Sequence, residues 1–403
     1  MIRNRRLLLT ATAMAAMLST SVVSGSGALA SEASPAPGSE PVVTVKAAAV
    51  PSLHEAAVRA VESMTVRERA ASVVMGHIPT TEAARLRDYM ATTGIGGFIL
   101  MGANIPADES SLREVTAALT VDPAFPPLLA IDQEGGDVSR LPWDGFPSSL
   151  QLKDAPPAHA RDAFAARAAL VQRAGIGVNF GIVADETADP GSFIHRRSLG
   201  TSPAAAAERV AAAVAGEGET ALSTLKHFPG HGAAPGDSHA GIPSTGMTKA
   251  EWKSADAVPF AAGIEAGAPL LMFGHLAYTS VDATPASLSP EWHRIAREEM
   301  GFDGIAVTDD LGMLEASGID AYADPVANAV TALAAGNDLV LAVMFSTPDS
   351  ATAVVDGIVA AVDAGTVPAG RLEEAAVRVA ALRLELAAAG RGLVPCPDCE
   401  PAA

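Results

Sequence analysis

Eight short apolar runs constrain this chain more than any other feature. They fall at residues 72–75, 97–101, 128–132, 178–183, 221–227, 270–275, 304–309 and 338–343. A strand with one wet face alternates polar and apolar residues. A parallel strand covered on both faces does not, and none of these runs alternates. The segments between them, such as 160–173, 203–215, 249–265 and 290–300, are longer and Ala-rich and read as helices. The second of these follows a Thr201-Ser202-Pro203 start signal. Two last helices are expected near 351–364 and 372–388. Eight strand–helix units favour an α/β fold with one closed (β/α)8 barrel of TIM type over an open doubly wound sheet. The barrel domain is expected over 51–390, with no second domain to place.

Composition agrees with such a core. The 403 residues are 49% hydrophobic but only 4% aromatic, so aliphatic side chains must fill the interior. The formal charge of −19 and the lack of a basic run beyond the N-terminus argue against a nucleic-acid partner.

Both ends read differently from the middle. Arg3, Arg5 and Arg6 precede a short apolar stretch, 7–18, and Ala28-Leu29-Ala30 forms a small-x-small cleavage site. Residues 1–30 therefore read as a signal peptide, too short in its apolar part to span a bilayer, which implies a secreted or extracytoplasmic protein with no membrane span in the mature chain. Arg5-Arg6 fits either the general or the twin-arginine route. Residues 31–50 are rich in Ser, Pro and Ala and read as a flexible linker. The tail 391–403 carries the two cysteines, Cys396 and Cys399, in Cys-Pro-Asp-Cys. Export suits a small disulfide loop there, and no helix start follows that would favour a redox role.

Several runs end on a polar residue: Asp132, Asp185, Lys226 with His227, His275 and Asp309. Barrels of this kind carry their active sites at the C-terminal strand ends. Unpaired buried charge is costly, so a convergence of this size points to function rather than packing.

The segment 226–239, KHFPGHGAAPGDSH, holds one Lys, three His and one Asp among Gly and Pro. It reads as a strand end followed by a shaped polar loop. His227, His231, Asp237 and His239 could in principle ligate a metal. The adjoining Lys226 cation opposes one, and no helical His-x-x-x-His pair is present. No metal or other cofactor is expected. Asp309, at the end of the seventh run, is suited to be nucleophile, base or ligand; its neighbour Asp310 competes for that role or caps the next helix. Asp132, in Asp132-Gln133-Glu134-Gly135-Gly136, suits either bidentate binding of sugar hydroxyls or a turn cap.

Taken together, KHFPGHG, the DSH that follows, DQEGG upstream and TDDLGM downstream resemble family 3 glycoside hydrolases, and more closely the bacterial β-N-acetylhexosaminidases of that family. The resemblance runs from about residue 65 to 345 and includes Phe273-Gly274-His275-Leu276 and Pro285-Ala286-Ser287-Leu288-Ser289. It implies that Asp309 is the nucleophile, that His239 is an acid/base on a mobile loop with Asp237 as its dyad partner, and that Asp132, Arg140, Arg197, Lys226 and His227 hold an N-acetylated sugar. His231 is then read as support for the loop, and Phe228 as a wall or core residue. Two positions depart from the family pattern: Leu199 stands where Phe is more frequent, and Asp137 where Arg is usual.

The expected activity is a retaining exo-β-N-acetylhexosaminidase acting on chito-oligosaccharides or peptidoglycan fragments, as a monomer. The rivals are a phosphorylase on the same scaffold and a non-catalytic sugar-binding protein. A β-glucosidase of the family fits less well, because such chains take their acid/base from a second domain.

Overall fold

In the computed structural model, residues 52–218 and 220–390 are described. The signal segment 1–30, the linker 31–50 and the cysteine-bearing tail 391–403 lie outside them. All eight apolar runs form strands: β1 (Val74–Gly76), β2 (Gly97–Leu100), β3 (Leu128–Ile131), β4 (Val178–Val183), β5 (Leu222–Phe228), β6 (Leu270–Phe273), β7 (Ile305–Asp310) and β8 (Leu339–Leu341). Each pairs in parallel with its sequence neighbours, and β1 pairs with β8, which closes the barrel.

Packing explains the absence of alternation. One set of strand side chains, among them Met75, Ile99, Ala130, Phe180, Leu222, Met272, Val307 and Leu339, fills the barrel interior. The alternate set, such as Phe98, Leu129, Leu225 and Leu271, faces the helices. Each such side chain, buried outright, contributes roughly 1.5–3 kcal/mol. The last helix (Ala369–Ala389) adds Val379, Leu382 and Leu386 to the interior cluster.

The helices begin where local chemistry allows. Ser202 caps the helix Pro203–Glu217 through the Ala205 N–H, with Pro203 in the first position, where its missing N–H costs nothing. Two helices precede the barrel, Leu53–Glu62 and Val66–Ser72, each opened by a capping box: Ser52 with Glu55, and Thr65 with Glu68. The single helix expected over 249–265 is in fact two, Lys249–Ser254 and Ala257–Glu265. Pro259 accounts for the break. A proline lacks the N–H that a continuous helix would need there, but sits without penalty in the first turn of a new one. The helix expected over 290–300 likewise changes, at Ile295, from α to a wider π-type turn.

Candidate active site

Four of the expected strand-end residues meet in one cleft at the C-terminal mouth. Asp132, Lys226, His227 and Asp309 line it, with Glu134, Arg140, Arg197 and His239, and with an apolar side made of Met101, Met272, Met313, Val343 and Met344. The cleft has a cavity volume of about 160 Å³.

One wall is a closed network of ion pairs. Lys226 Nζ donates to Asp132 Oδ1 at 2.8 Å and to Glu134 Oε1 at 2.7 Å. Arg197 grips Glu134 with two parallel bonds, Nη2 to Oε1 at 2.7 Å and Nε to Oε2 at 2.9 Å, and Arg140 reaches Asp132 at 3.1 Å. Burial alone would raise the Glu134 carboxyl, but the Arg197 and Lys226 charges outweigh it and bring it down to about 2. Burial also works against Asp132, where Lys226 and Arg140 prevail and hold it below the usual range. Lys226 is raised for the converse reason: its burial is outweighed by Asp132 and Glu134. The wall thus keeps its charges at neutral pH and offers both donors and acceptors to a hydroxyl-rich ligand.

Glu134 is the residue that sequence reasoning missed. DQEGG reads as a turn, yet Gln133–Gly135 pairs with Val138–Ser139 as a short hairpin over the barrel mouth. The Gln133 side chain fixes that hairpin. Its carbonyl accepts from the Arg140 and Leu141 N–H groups, and its amide donates to Asp144, which in turn pairs with fully buried Arg167 at 2.7 Å. The signal available was a second carboxylate two positions after Asp132.

Asp185 and His275 lie beneath the cleft instead of lining it. Asp185 is buried and accepts from the backbone N–H of His227 and of His231, and its Oδ2 lies 2.7 Å from His227 Nδ1. Arg197 Nη2 lies 3.3 Å from the other nitrogen of His227. A guanidinium can only donate, so that nitrogen accepts and Nδ1 carries the proton shared with Asp185. His275 spans Ser287 Oγ at 2.7 Å and the Asp310 carbonyl at 2.8 Å, which fixes the main chain behind Asp309.

Asp309 and Asp310 divide their work. Asp310 turns back into the scaffold and accepts from the N–H groups of Gly312, Val343 and Met344; burial, against those bonds, pushes its carboxyl up to about 6. Asp309 faces the cleft. Its Oδ1 accepts the Asp310 N–H at 2.8 Å, and its Oδ2 makes no hydrogen bond among the described residues. Burial would raise it, but the polar groups that face it, among them the Asp310 N–H and the Lys226 ammonium, hold it below the ordinary range.

The loop after β5 carries the remaining pair. Phe228 is core, edge-on to Trp252, Phe260, Phe273 and Trp292, and anchors the loop's start. The glycines of GHG are sterically required. A Cβ on Gly232 would come within 1.7 Å of the Glu186 carbonyl oxygen, and Gly230 adopts φ 131° against Asp256. His231 packs on Phe193, and neither of its ring nitrogens has a hydrogen-bond partner among the described residues. His239 Nδ1 lies 2.7 Å from Asp237 Oδ1, which also accepts the His239 N–H at 3.0 Å. Burial works to raise Asp237, and these bonds overcome it and lower the carboxyl. Both side chains are about half exposed, 55% for His239 and 47% for Asp237. Among the described residues no group of three or more His, Cys, Asp or Glu converges as a metal site would.

At the departures from the family pattern, Asp137 forms a bidentate pair with Arg196 at 2.5 and 2.9 Å, on the surface beside the Arg197–Glu134 pair. Leu199 is buried in the core.

The closed parallel barrel carries a charged, carboxylate-bearing cleft at its C-terminal mouth, and its likeness to known proteins makes the chain a glycoside hydrolase. The chain belongs to glycoside hydrolase family 3: the pattern described as "Glycosyl hydrolase family 3 N terminal domain" matches residues 65–382. It is 34% identical over 282 residues to a Xylella fastidiosa protein named beta-hexosaminidase, covering 67% of this chain and 82% of that one. Among solved structures, a family 3 beta-N-acetylglucosaminidase from a Paenibacillus species is similar at TM-score 0.75 and 28% identity, over 82% of this chain and 64% of that one. A beta-N-acetylhexosaminidase from Beutenbergia cavernae is similar at TM-score 0.69 and 28% identity, over 80% of this chain and 99% of that one.

Proposed function

We propose that this chain is a retaining exo-β-N-acetylhexosaminidase that removes terminal β-linked N-acetylglucosamine from chito-oligosaccharides or peptidoglycan fragments outside the cytoplasm. The observation that carries this reading is that Asp309 and His239, itself bonded to Asp237, line one cleft. The names borne by the relatives support the N-acetylated sugar.

In this reading Asp309 Oδ2 attacks the anomeric carbon as the glycosidic bond breaks. His239 gives its proton to the departing oxygen, and a glycosyl ester forms on Asp309. Water then attacks the same carbon, His239 takes its proton, and the ester bond breaks to release the sugar with retention. Histidine suits both roles because it titrates near neutrality. The Asp237 carboxylate orients the ring through its bond to Nδ1. Asp132, Arg140, Arg197, Lys226 and His227 hold the sugar, and Glu134 keeps Arg197 and Lys226 in place.

The test is hydrolysis of an aryl β-N-acetylglucosaminide against the matching β-glucoside, each with and without inorganic phosphate. Preference for the N-acetylated substrate, with no phosphate effect, is expected. A sugar 1-phosphate product would instead make the chain a phosphorylase. Asp309→Asn should lower kcat by roughly ten-thousand-fold or more; unchanged turnover would remove the mechanism and favour a binding protein. Export is tested by cell fractionation and N-terminal sequencing of the mature chain, which should begin after Ala30.

A further inference from the structure

The His239–Asp237 pair is bonded within its own loop, two residues apart, and so moves as a unit. Those bonds orient the ring relative to Asp237 but do not seat the pair over the cleft. The ring contact His239 receives from another element comes from Phe193, 6.3 Å between centroids and nearly perpendicular at 77°.

Phe193 belongs to the segment after β4 and is half-buried. Two further contacts make it a hub. Its ring packs at 4.7 Å against His231, which stands at the base of the same loop. With neither ring nitrogen of His231 partnered among the described residues, packing fixes that ring. On the other side the Arg197 guanidinium lies 5.6 Å from the Phe193 centroid. Phe193 and Arg197 are four residues apart in a run of turns, with the Arg197 and Ser198 N–H groups both bonded to the Ile194 carbonyl. An aromatic ring presents a negative face to a cation and positive edges to its surroundings, so one ring can serve all three neighbours.

We propose that Phe193 is the positioning residue that seats the loop-borne His239–Asp237 pair over the cleft and links its placement to Arg197. The inference rests on the reading of His239 as the acid/base. Phe193 touches both ends of the loop segment 231–239, so it holds that segment as a staple would, and the wall residue Arg197 stacks on the same ring. A sugar that engages Arg197 thereby also steadies the ring against which His239 docks.

The experiment uses two substrates that differ in leaving group, para-nitrophenyl β-N-acetylglucosaminide and N,N′-diacetylchitobiose, with Phe193→Ala, His239→Ala and the double variant. A good leaving group departs without a proton, whereas a sugar alkoxide needs one. All comparisons are made in kcat/KM, which reports the first step and not the water-attack step that both substrates share. Misplacing the acid should therefore lower kcat/KM on the disaccharide, on the order of a hundredfold for Phe193→Ala. On the aryl substrate kcat/KM should change by about threefold or less. In the His239→Ala background the second substitution should cost nothing further, since its route of action is already gone. Phe193→Tyr, which keeps the ring, should retain wild-type selectivity. Phe193→Leu keeps the apolar volume without the ring and reads the same loss should the alanine variant fail to fold.

Equal losses on the two substrates for Phe193→Ala, with His239→Ala still selective, would overturn the positioning role while leaving the acid/base reading intact. Multiplicative losses in the double variant would do the same. A His239→Ala enzyme that slows both substrates equally would sink the acid/base reading itself, and this inference with it; that result needs no Phe193 variant to be seen.

Discussion

The charged wall and the dyad loop both contribute to one cleft and are built on opposite terms. In the wall, Lys226, Glu134, Arg197 and Asp132 are each held by at least two partners, and Lys226 and Glu134 are buried. In the loop, His239 and Asp237 are about half exposed and bonded chiefly to each other. The proposed function accounts for the difference. A wall that binds a neutral sugar would gain from fixed dipoles and charges that need no rearrangement as the ligand arrives. An acid/base that closes over the bound sugar and withdraws for release would suit a segment with few anchors.

The largest test of this contrast is Glu134→Ala. It leaves Arg197 and Lys226 buried without their shared carboxylate. Removing one partner of a buried pair costs about 3–5 kcal/mol, so denaturant unfolding should show a loss of that size, with KM raised as well. Asp237→Ala should leave stability within about 0.5 kcal/mol, as surface changes do, while activity falls on the order of a hundredfold or more. The contrast breaks if the two variants lose equal stability.

Much of the wall's framework is legible in the amino-acid sequence. Buried parallel strands write themselves as unbroken apolar runs, and the polar residues that end them mark the mouth, so position alone points to Asp132, Lys226, His227 and Asp309. Glu134 escapes this reasoning, because a hairpin too short to leave a periodic pattern turns it into the barrel mouth. Phe193 is hidden for a related reason: a lone aromatic in a loop has no pattern at all, and its three neighbours come from distant or non-periodic positions. The roles of His239 and Asp237 come from resemblance, not from physics. A His two residues after an Asp makes this bond in many surface turns, and only the cleft gives it meaning.

A second, smaller test separates the two regions by pH. Glu134 has its carboxyl lowered to about 2 by Arg197 and Lys226 against the cost of burial. A lowered carboxyl adds stability that is present above its unfolded value of 4.5 and lost as pH falls from there through about 2. Glu217, buried behind the hairpin with Asn179 donating to it at 2.6 Å, runs the other way, because burial raises it to about 8. Its contribution is complete below about 4.5 and is lost as pH rises through about 8. Glu134→Gln should therefore flatten the acid limb of an unfolding-against-pH profile, and Glu217→Gln the limb between about 4.5 and about 8. His239→Ala should move neither limb measurably, since its exposed ring contributes little to stability. A shifted acid limb in His239→Ala would show that the loop is bound into the wall more tightly than its contacts suggest.

The smallest expected effect is at Asp137, where the chain departs from its family. Asp137 and Arg196 are both exposed, at 45% and 60%, and an exposed pair is screened by water and salt. Asp137→Ala should thus change kcat and KM by less than about threefold. The instructive variant is Asp137→Arg, which reverses the charge at that position. With Arg196 retained, three cations would crowd the rim, because Arg197 already lies next in sequence. The outer pair would be lost and repulsion would push Arg197 against its grip on Glu134, so KM should rise more than in Asp137→Ala and more steeply at low salt. Arg196→Ala added to Asp137→Arg should then return KM toward the wild-type value. If Asp137→Arg alone matches Asp137→Ala at every ionic strength, the wall's inner pairs are indifferent to the charges outside them, and the fixed character of that wall extends to its rim.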